Sequence, residues 1–353
     1  MAIYLINIAL IIFWRLCITE RRFKDSRKLY CGLVAFQWIL ISGLRDWSVG
    51  ADTAHYQYLF ERVIGTSWNE ILRKLFDYLF RGLETSDPGY YALTKVFQII
   101  SKDYQIFLVA IAILFMGLMA RFIYRHSASP CTSFLIFSTL FYSFYAITGH
   151  RQTIATALIV FVGYDLIKRR ELLKFALVAF ASFLIHKSSI VVIPLYFMFR
   201  IPVTPTYKRI CAVVIVVITL LGKAIYGPLA LLLGYGQNQV DYAEGGAETF
   251  AVLLIALCIV TWIFYPQIKK RRADADHLFH VNSLALLSAL LVIQNQGFMR
   301  IQQYYSLFIM ITIPELLNLV KRRHRLWIYL AFGAVMIAYL MKNNPQYSFF
   351  FMS

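Results

Sequence analysis

Apolar residues fall in about twelve runs separated by short polar links. The runs are Ala2–Thr19, Leu29–Leu44, Tyr104–Ala120, Thr132–Thr148, Thr153–Ile167, Leu172–Ile185, Ser189–Phe199, Ile210–Leu221, Thr249–Tyr265, Leu278–Ile293, Ile301–Val320 and Leu326–Met341. A helix crossing a bilayer needs about 20 mostly apolar residues, and shorter runs are tolerated when aromatic or basic ends reach the interface. The pattern predicts an all-α polytopic membrane protein, a single integral domain over residues 1–353 with about twelve transmembrane helices. The first run has no basic leader and no small-residue cleavage site, so it reads as a retained span and not a signal peptide.

Three stretches do not fit the spanning pattern. Gly89–Ile100 is apolar but only twelve residues long, and counting it as a crossing would move every later basic link to the other side. It reads as a short interfacial or re-entrant helix. Within the long segment 45–103, Trp68, Ile71, Leu72, Leu75 and Leu79 recur at helical spacing, opposite Arg73, Lys74, Asp77 and Arg81. That amphipathic pattern predicts a helix lying in the membrane surface or across the tops of the spans. The Gly-rich segment 222–248, carrying Asp241, Glu244 and Glu248, reads as an outer loop able to act as a lid.

Composition agrees: 60% hydrophobic and 15% charged residues, with a mean hydropathy of +0.64, leave too little polar surface to coat a soluble globule of this size. A net charge of +17 would suggest nucleic acid in a soluble chain, but here its placement excludes that partner. If the links alternate sides, Glu20–Lys28, Arg121–His126, Lys168–Lys174, Arg200–Arg209, Lys269–Arg272 and Lys321–Arg325 share one side, and all are basic. With Arg15 that side holds 23 Lys/Arg against 7 Asp/Glu, while the other holds 12 against 11. The positive-inside rule makes the first side cytoplasmic and turns both termini outward. The five cysteines lie in or beside apolar runs with no CxxC spacing, so they read as small core residues.

The ionisable residues at the outer membrane edge are the informative ones, because topology calls for no cations there. They are Arg45, Asp52, His150, Arg151, His186, Lys187 and Arg300, brought to one depth by four separate hairpins. Guanidinium forks match phosphate oxygens bidentately, so a convergent set suits a lipid-linked diphosphate. Arg300, Gln303 and Tyr304 share one helical face, and amides and tyrosines beside a guanidinium suit a sugar.

Three segments resemble a known family. Arg45-Asp46-Trp47-Ser48-Val49-Gly50-Ala51-Asp52-Thr53-Ala54-His55-Tyr56 is similar to the R-x(n)-G-x-D-x(3)-Y signature of the EpsG-like branch of the Wzy polysaccharide polymerases. His150-Arg151-Gln152-Thr153-Ile154-Ala155 resembles that family's R-Q-x-I-A, and His186-Lys187-Ser188-Ser189 its H-x-S-[SA]. The three occur in series over residues 40–200; beyond residue 200 the resemblance is topological only.

The resemblance implies a bacterial inner-membrane enzyme of the helical, GT-C-like glycosyltransferase type, with its active site facing the periplasm or outside. It implies polymerisation of undecaprenyl-diphosphate-linked oligosaccharide repeat units, the growing chain being transferred onto the next lipid-linked unit. Donor and acceptor are then lipid-linked oligosaccharides in the membrane, a chain-length regulator protein is a partner to be expected, and no cofactor, metal or nucleotide sugar is needed. In such a reaction Arg151 and Arg45, supported by Arg300 and Lys187, would neutralise the leaving diphosphate. His186 or Asp52 would take the proton of the acceptor hydroxyl, with His186 first, because Asp52 also reads as an ion-pair partner of Arg45. Gly50 would permit a turn or a close backbone approach, Tyr56 would stack on sugar, and His150 and Gln152 would bind beside Arg151.

Competing readings come from elsewhere in the chain. Asp274-Ala275-Asp276, with His277 and His280 behind it, has the DxD pattern of metal- and nucleotide-sugar-dependent transferases, against a solvated loop that balances Lys269–Arg272. A lipid-linked glycan flippase or transporter would fit the span count, and an O-antigen ligase would share fold type and donor. The outer-edge position of the polar set argues against alternating access.

Overall fold

The computed structural model describes residues 1–18, 23–82, 87–222, 224–225, 227–228, 248–342 and 344–352. Of the predicted lid, Asp241 and Glu244 lie outside the described residues. Among the described residues every regular element is helical, and the one extended pairing is an isolated bridge between Arg45 and Phe349.

The chain opens with α1 (Ala2–Cys17) and α2 (Ser26–Gly43), then α3 (Thr53–Ile64), α4 (Trp68–Phe80) and α5 (Pro88–Phe97) in the long segment. α6 (Tyr104–His126) is followed by α7 (Pro130–Ile136), which continues in π-helical turns at Phe137–Phe141 and Ser143–Thr148. α8 (His150–Thr156) passes through a π stretch, Ala157–Val162, into α9 (Gly163–Lys168). α10 (Leu172–Ile185), a 3-10 segment Lys187–Val192, α11 (Leu195–Met198) and α12 (Pro205–Leu220) come next. α13 (Glu248–Lys269), α14 (Ala275–Gln294), α15 (Met299–Ser306), α16 (Ile309–Leu319) and α17 (Arg322–Lys342) complete the bundle.

Four described helices are long and apolar enough to cross a membrane: Tyr104–His126, Glu248–Lys269, Ala275–Gln294 and Arg323–Lys342. Ala2–Cys17, Pro130–Phe141, Leu172–Ile185, Lys187–Met198 and Ile309–Leu319 are shorter apolar helices. Two predicted runs prove discontinuous, each for a physical reason. The run Ser189–Phe199 is 3-10 and then a four-residue helix, because Pro194 has no N–H for the preceding turn. The run Ile301–Val320 is broken between Ser306 and Ile309. Inside α16, Pro314 deprives the Met310 carbonyl of its helical donor, and Ser133 Oγ of α7 supplies one at 2.5 Å.

Helices in hydrocarbon gain little from mutual burial of apolar faces, so packing contacts and interhelical hydrogen bonds hold them. Trp38, fully buried, donates to Ser138 at 3.0 Å, and Ser42 donates to the Ala146 carbonyl at 2.6 Å. α5, ten residues and about 15 Å long, is too short to cross. It lies against α10 with Gly89 facing Leu184, where a Cβ would come within 2.6 Å of backbone atoms. α4 buries only Ile71 and exposes Trp68, Leu72, Phe76 and Phe80, a face that a membrane surface would cover.

Among the described residues, the basic links converge at one end of the bundle. Arg27 donates to the Tyr124 and Ser127 carbonyls, and His126 pairs with Asp165 at 2.7 Å. Arg272 donates to the His126 carbonyl, to Asp274 and to Glu315, and Lys168 reaches Asp274 at 2.6 Å. Arg271 and Arg325 share the Asn318 carbonyl, and Val203 N–H bonds Asp276. The termini gather at the other end. Asp46 N–H donates to Ser348, Tyr347 donates to the Ile41 carbonyl, and Tyr4 lies edge-on to Tyr347.

In this network the Asp-Ala-Asp pattern is already occupied. Asp274 receives Lys168, Arg272 and Tyr164, and Asp276 receives Lys269, Tyr265 and Val203 N–H. His280 spends both ring nitrogens, on Tyr207 and the Ile201 carbonyl, while His277 stacks on Phe199 at 4.3 Å. Burial opposes ionised Asp274, yet Arg272 and Lys168 hold its carboxyl well below the usual carboxylate range. These groups tie links together, as the balancing-loop reading expects, although Asp274 and Arg272 are largely buried and not solvated. Arg272→Ala therefore leaves two largely buried carboxylates short of a partner, at a cost of about 3–5 kcal/mol. We expect a lower thermal midpoint in detergent with unchanged activity per folded molecule; a loss of activity without loss of stability would contradict this assignment.

Candidate active site

At the end opposite the basic links, segments far apart in sequence bring their polar side chains into one chain of contacts. The segment after α2 contributes Arg45. It is 3% exposed, donates to the Ser42 carbonyl, and approaches His150 Nε2 at 2.8 Å. The turn that follows depends on Gly50, whose φ of +103° disfavours any side chain. A Cβ there would also lie 2.8 Å from the Ile147 carbonyl, so Gly50 serves both the turn and the close approach expected of it.

α3 supplies Tyr56. The ring is buried and stacks on His150 at 4.4 Å, with the Arg151 guanidinium 5.6 Å from its centroid. The ring that the resemblance offered to a sugar thus packs against His150 and lies beside Arg151. α8 begins with His150 and Arg151 on successive positions, and Gln152 Nε2 donates to the Arg300 carbonyl at 2.8 Å.

Arg151 then leads to a residue that sequence reasoning missed. Its Nη1 donates to Asp87 Oδ2 at 2.9 Å, and the same carboxylate accepts His186 Nδ1 at 3.1 Å and Lys187 N–H at 3.3 Å. Asp87 is buried at the N-terminus of α5, with a left-handed φ of +45°. The available signal was Asp87-Pro88-Gly89, a helix start with proline in its first turn. Nothing in the sequence separates this signal from ordinary turn chemistry, because the seating of Gly89 on Leu184 exists only in the fold.

Two opposing effects set the protonation state here. Burial would raise the Asp87 carboxyl, but the His186 bond, the Arg151 charge and the Lys187 N–H together hold it below the usual carboxylate value. Burial lowers His186, Asp87 raises it, and Arg151 and Arg300 lower it further, so the net shift is downward. His186 is accordingly neutral at neutral pH. With Nδ1–H committed to a carboxylate, the lone pair is on Nε2, a buried atom with no hydrogen-bond partner among the described residues.

Other candidates lie in or beside this cluster. Lys187 and Ser188 follow His186, and Ser188 Oγ is 3.1 Å from the hydroxyl of Tyr304, which is fully buried. Gln303 is buried too, and its carbonyl accepts Tyr145 at 2.8 Å. Arg300 is exposed, unlike the two side chains predicted to share its face. Asp52 stands apart: it is exposed at the N-terminus of α3 and forms no ion pair with Arg45, whose partners are Ser42 and His150. The ion-pair reading of Asp52 is thus replaced by an arginine–histidine contact.

The family comparison covers almost all of this arrangement, from Lys28 in α2 to Met352 in the terminal 3-10 turn. The chain belongs to the EpsG family. EpsG-family proteins are Wzy-type and polysaccharide polymerase-like. The match extends beyond residue 200, where the three motifs had ended, so α15 and its Arg300 belong to the family region as well. Comparison with curated proteins and with solved structures finds no match.

Proposed function

We propose that this EpsG-family protein polymerises oligosaccharide repeat units carried on undecaprenyl diphosphate, at the outer face of a bacterial inner membrane. The observation that carries the reading is the junction of Arg151 and His186 on Asp87: a cation, an oriented neutral imidazole and a shared buried carboxylate. The side supports it as well, since the cluster occupies the end opposite the basic links, which the positive-inside rule makes cytoplasmic.

In this reading the acceptor sugar hydroxyl attacks the anomeric carbon of the donor and gives its proton to His186 Nε2. The bond from that carbon to the diphosphate oxygen breaks, and lipid diphosphate leaves with the electron pair. Arg151, Arg300 and Lys187 stabilise the charge that grows on the leaving oxygen, a task fixed cations perform well in a water-poor site. Arg45 is too deeply buried to share it directly. It positions His150 and, through the stacked Tyr56, the Arg151 guanidinium.

Purified protein supplied with lipid-linked repeat units should yield a ladder of products without nucleotide sugar or divalent metal. Deletion of the gene should leave a single repeat on its final acceptor. An entirely unattached glycan would instead mean a ligase, and repeat units trapped on the cytoplasmic side a flippase.

A further inference from the structure

Below the His186 turn, α10 and the segment 187–198 diverge to form a hydrocarbon groove of about 300 Å³. Its floor includes Phe175, stacked on Tyr196 with centroids 5.2 Å apart. The Tyr196 hydroxyl donates to the Arg170 carbonyl, at the basic end of the bundle, and leaves only carbon facing the groove. Phe180 and Phe183 form one wall, Ile190 and Phe197 the other, and Phe180, Ile190 and Phe197 remain substantially exposed.

The groove runs along α10 from Leu172 to Phe183, about 17 Å at helical rise. Its upper end is the proposed active site. Phe183 precedes His186 by three residues, Ile190 follows Lys187 by three, and the turn between them is pinned by two bonds to Asp87. α4 and α5 close the turn from above, through Tyr78 against Phe183 at 5.9 Å and Gly89 against Leu184. Phe183 and Ile190 thus place the upper end of the groove about one helical turn from His186 and Lys187.

We propose that this groove receives the isoprenoid chain of the lipid-linked substrate, an assignment that rests on the polymerase reading above. Such a substrate arrives through the membrane, with its diphosphate bound at the surface and its hydrocarbon bound to go into the bilayer. The groove's end beside Arg151 and Lys187 selects it over a membrane phospholipid by charge, since a diphosphate presents more anionic oxygens to the cations than the single phosphodiester of a phospholipid. A methyl-branched chain also packs well between aromatic walls.

The test uses full-length protein in detergent with an undecaprenyl diphosphate bearing a diazirine on its proximal isoprene units. Crosslinks should map to Phe180, Phe183 and Ile190 and be displaced by unlabelled undecaprenyl diphosphate. Crosslinks elsewhere, or equal labelling by a diazirine phosphatidylglycerol, would overturn the assignment. Ala176→Trp, which fills the groove from an exposed position, should raise KM for the long-chain substrate about tenfold with kcat preserved, and leave KM for a ten-carbon analogue unchanged. An equal rise for both chain lengths would also sink it. Specific labelling of the groove in a protein that never forms polymer would leave the groove standing and refute the polymerase reading.

Discussion

Asp87→Asn should reduce polymer formation by about three to four orders of magnitude while the protein remains inserted and abundant. The substitution is nearly isosteric, and asparagine tolerates the left-handed backbone that Asp87 adopts, so α5 keeps its start. What changes is the imidazole. An amide that can present either oxygen or nitrogen to Nδ1 no longer fixes the tautomer, and the lone pair on Nε2 is lost part of the time. The pH profile separates this role from a structural one. Asp87 raises His186 against the downward pull of burial, Arg151 and Arg300. Without the carboxylate, His186 loses its proton at lower pH, so the acid limb of residual activity should move to lower pH. Residual activity within tenfold of wild type, with an unmoved acid limb, would reduce Asp87 to a helix-start residue.

Arg151→Ala should cost about three orders of magnitude in polymer formation, again with normal abundance. The guanidinium meets Asp87 through one nitrogen and Tyr56 through another, at 2.9 and 3.4 Å, while its plane lies over the tyrosine ring. Lysine keeps the charge but has a single nitrogen and no plane, so Arg151→Lys should recover less than a tenth of the lost activity. Because Arg151 and His186 act through one carboxylate, the double variant Asp87→Asn, Arg151→Ala should be little worse than the poorer single variant. Fully additive losses would show that the two residues do not act through the shared carboxylate, and long-chain polymer in a strain carrying Arg151→Ala would remove Arg151 from the diphosphate role.

Both results turn on a residue whose importance could not be read along the chain. Arg45, Arg151 and His186 stand out in sequence because a cation or imidazole beside an apolar run is costly unless something requires it. Asp87 does not stand out, since a carboxylate in a polar loop costs nothing. Asp52 drew attention through its place in a motif, yet its exposed position at the start of α3 gives it no contact with the cations. The stacking of Tyr56 on His150 is equally invisible along the chain, because the two residues are 94 positions apart and meet only in the fold.

Hydropathy and charge order alone determine that this is an all-helical membrane protein, that its basic links share one end, and that several cations accumulate at the other. These are one-dimensional properties: span length follows from bilayer thickness, and alternation follows from counting links. Only the tertiary structure decides that Asp87 joins Arg151, 64 positions away, to His186, 99 positions away. That meeting depends on where α5 settles on α10, on Gly89 permitting the approach, and on the 3-10 geometry that turns Lys187 N–H towards the carboxylate. Helical periodicity records which face of a helix is apolar; it carries no information about which distant segment will be packed against it.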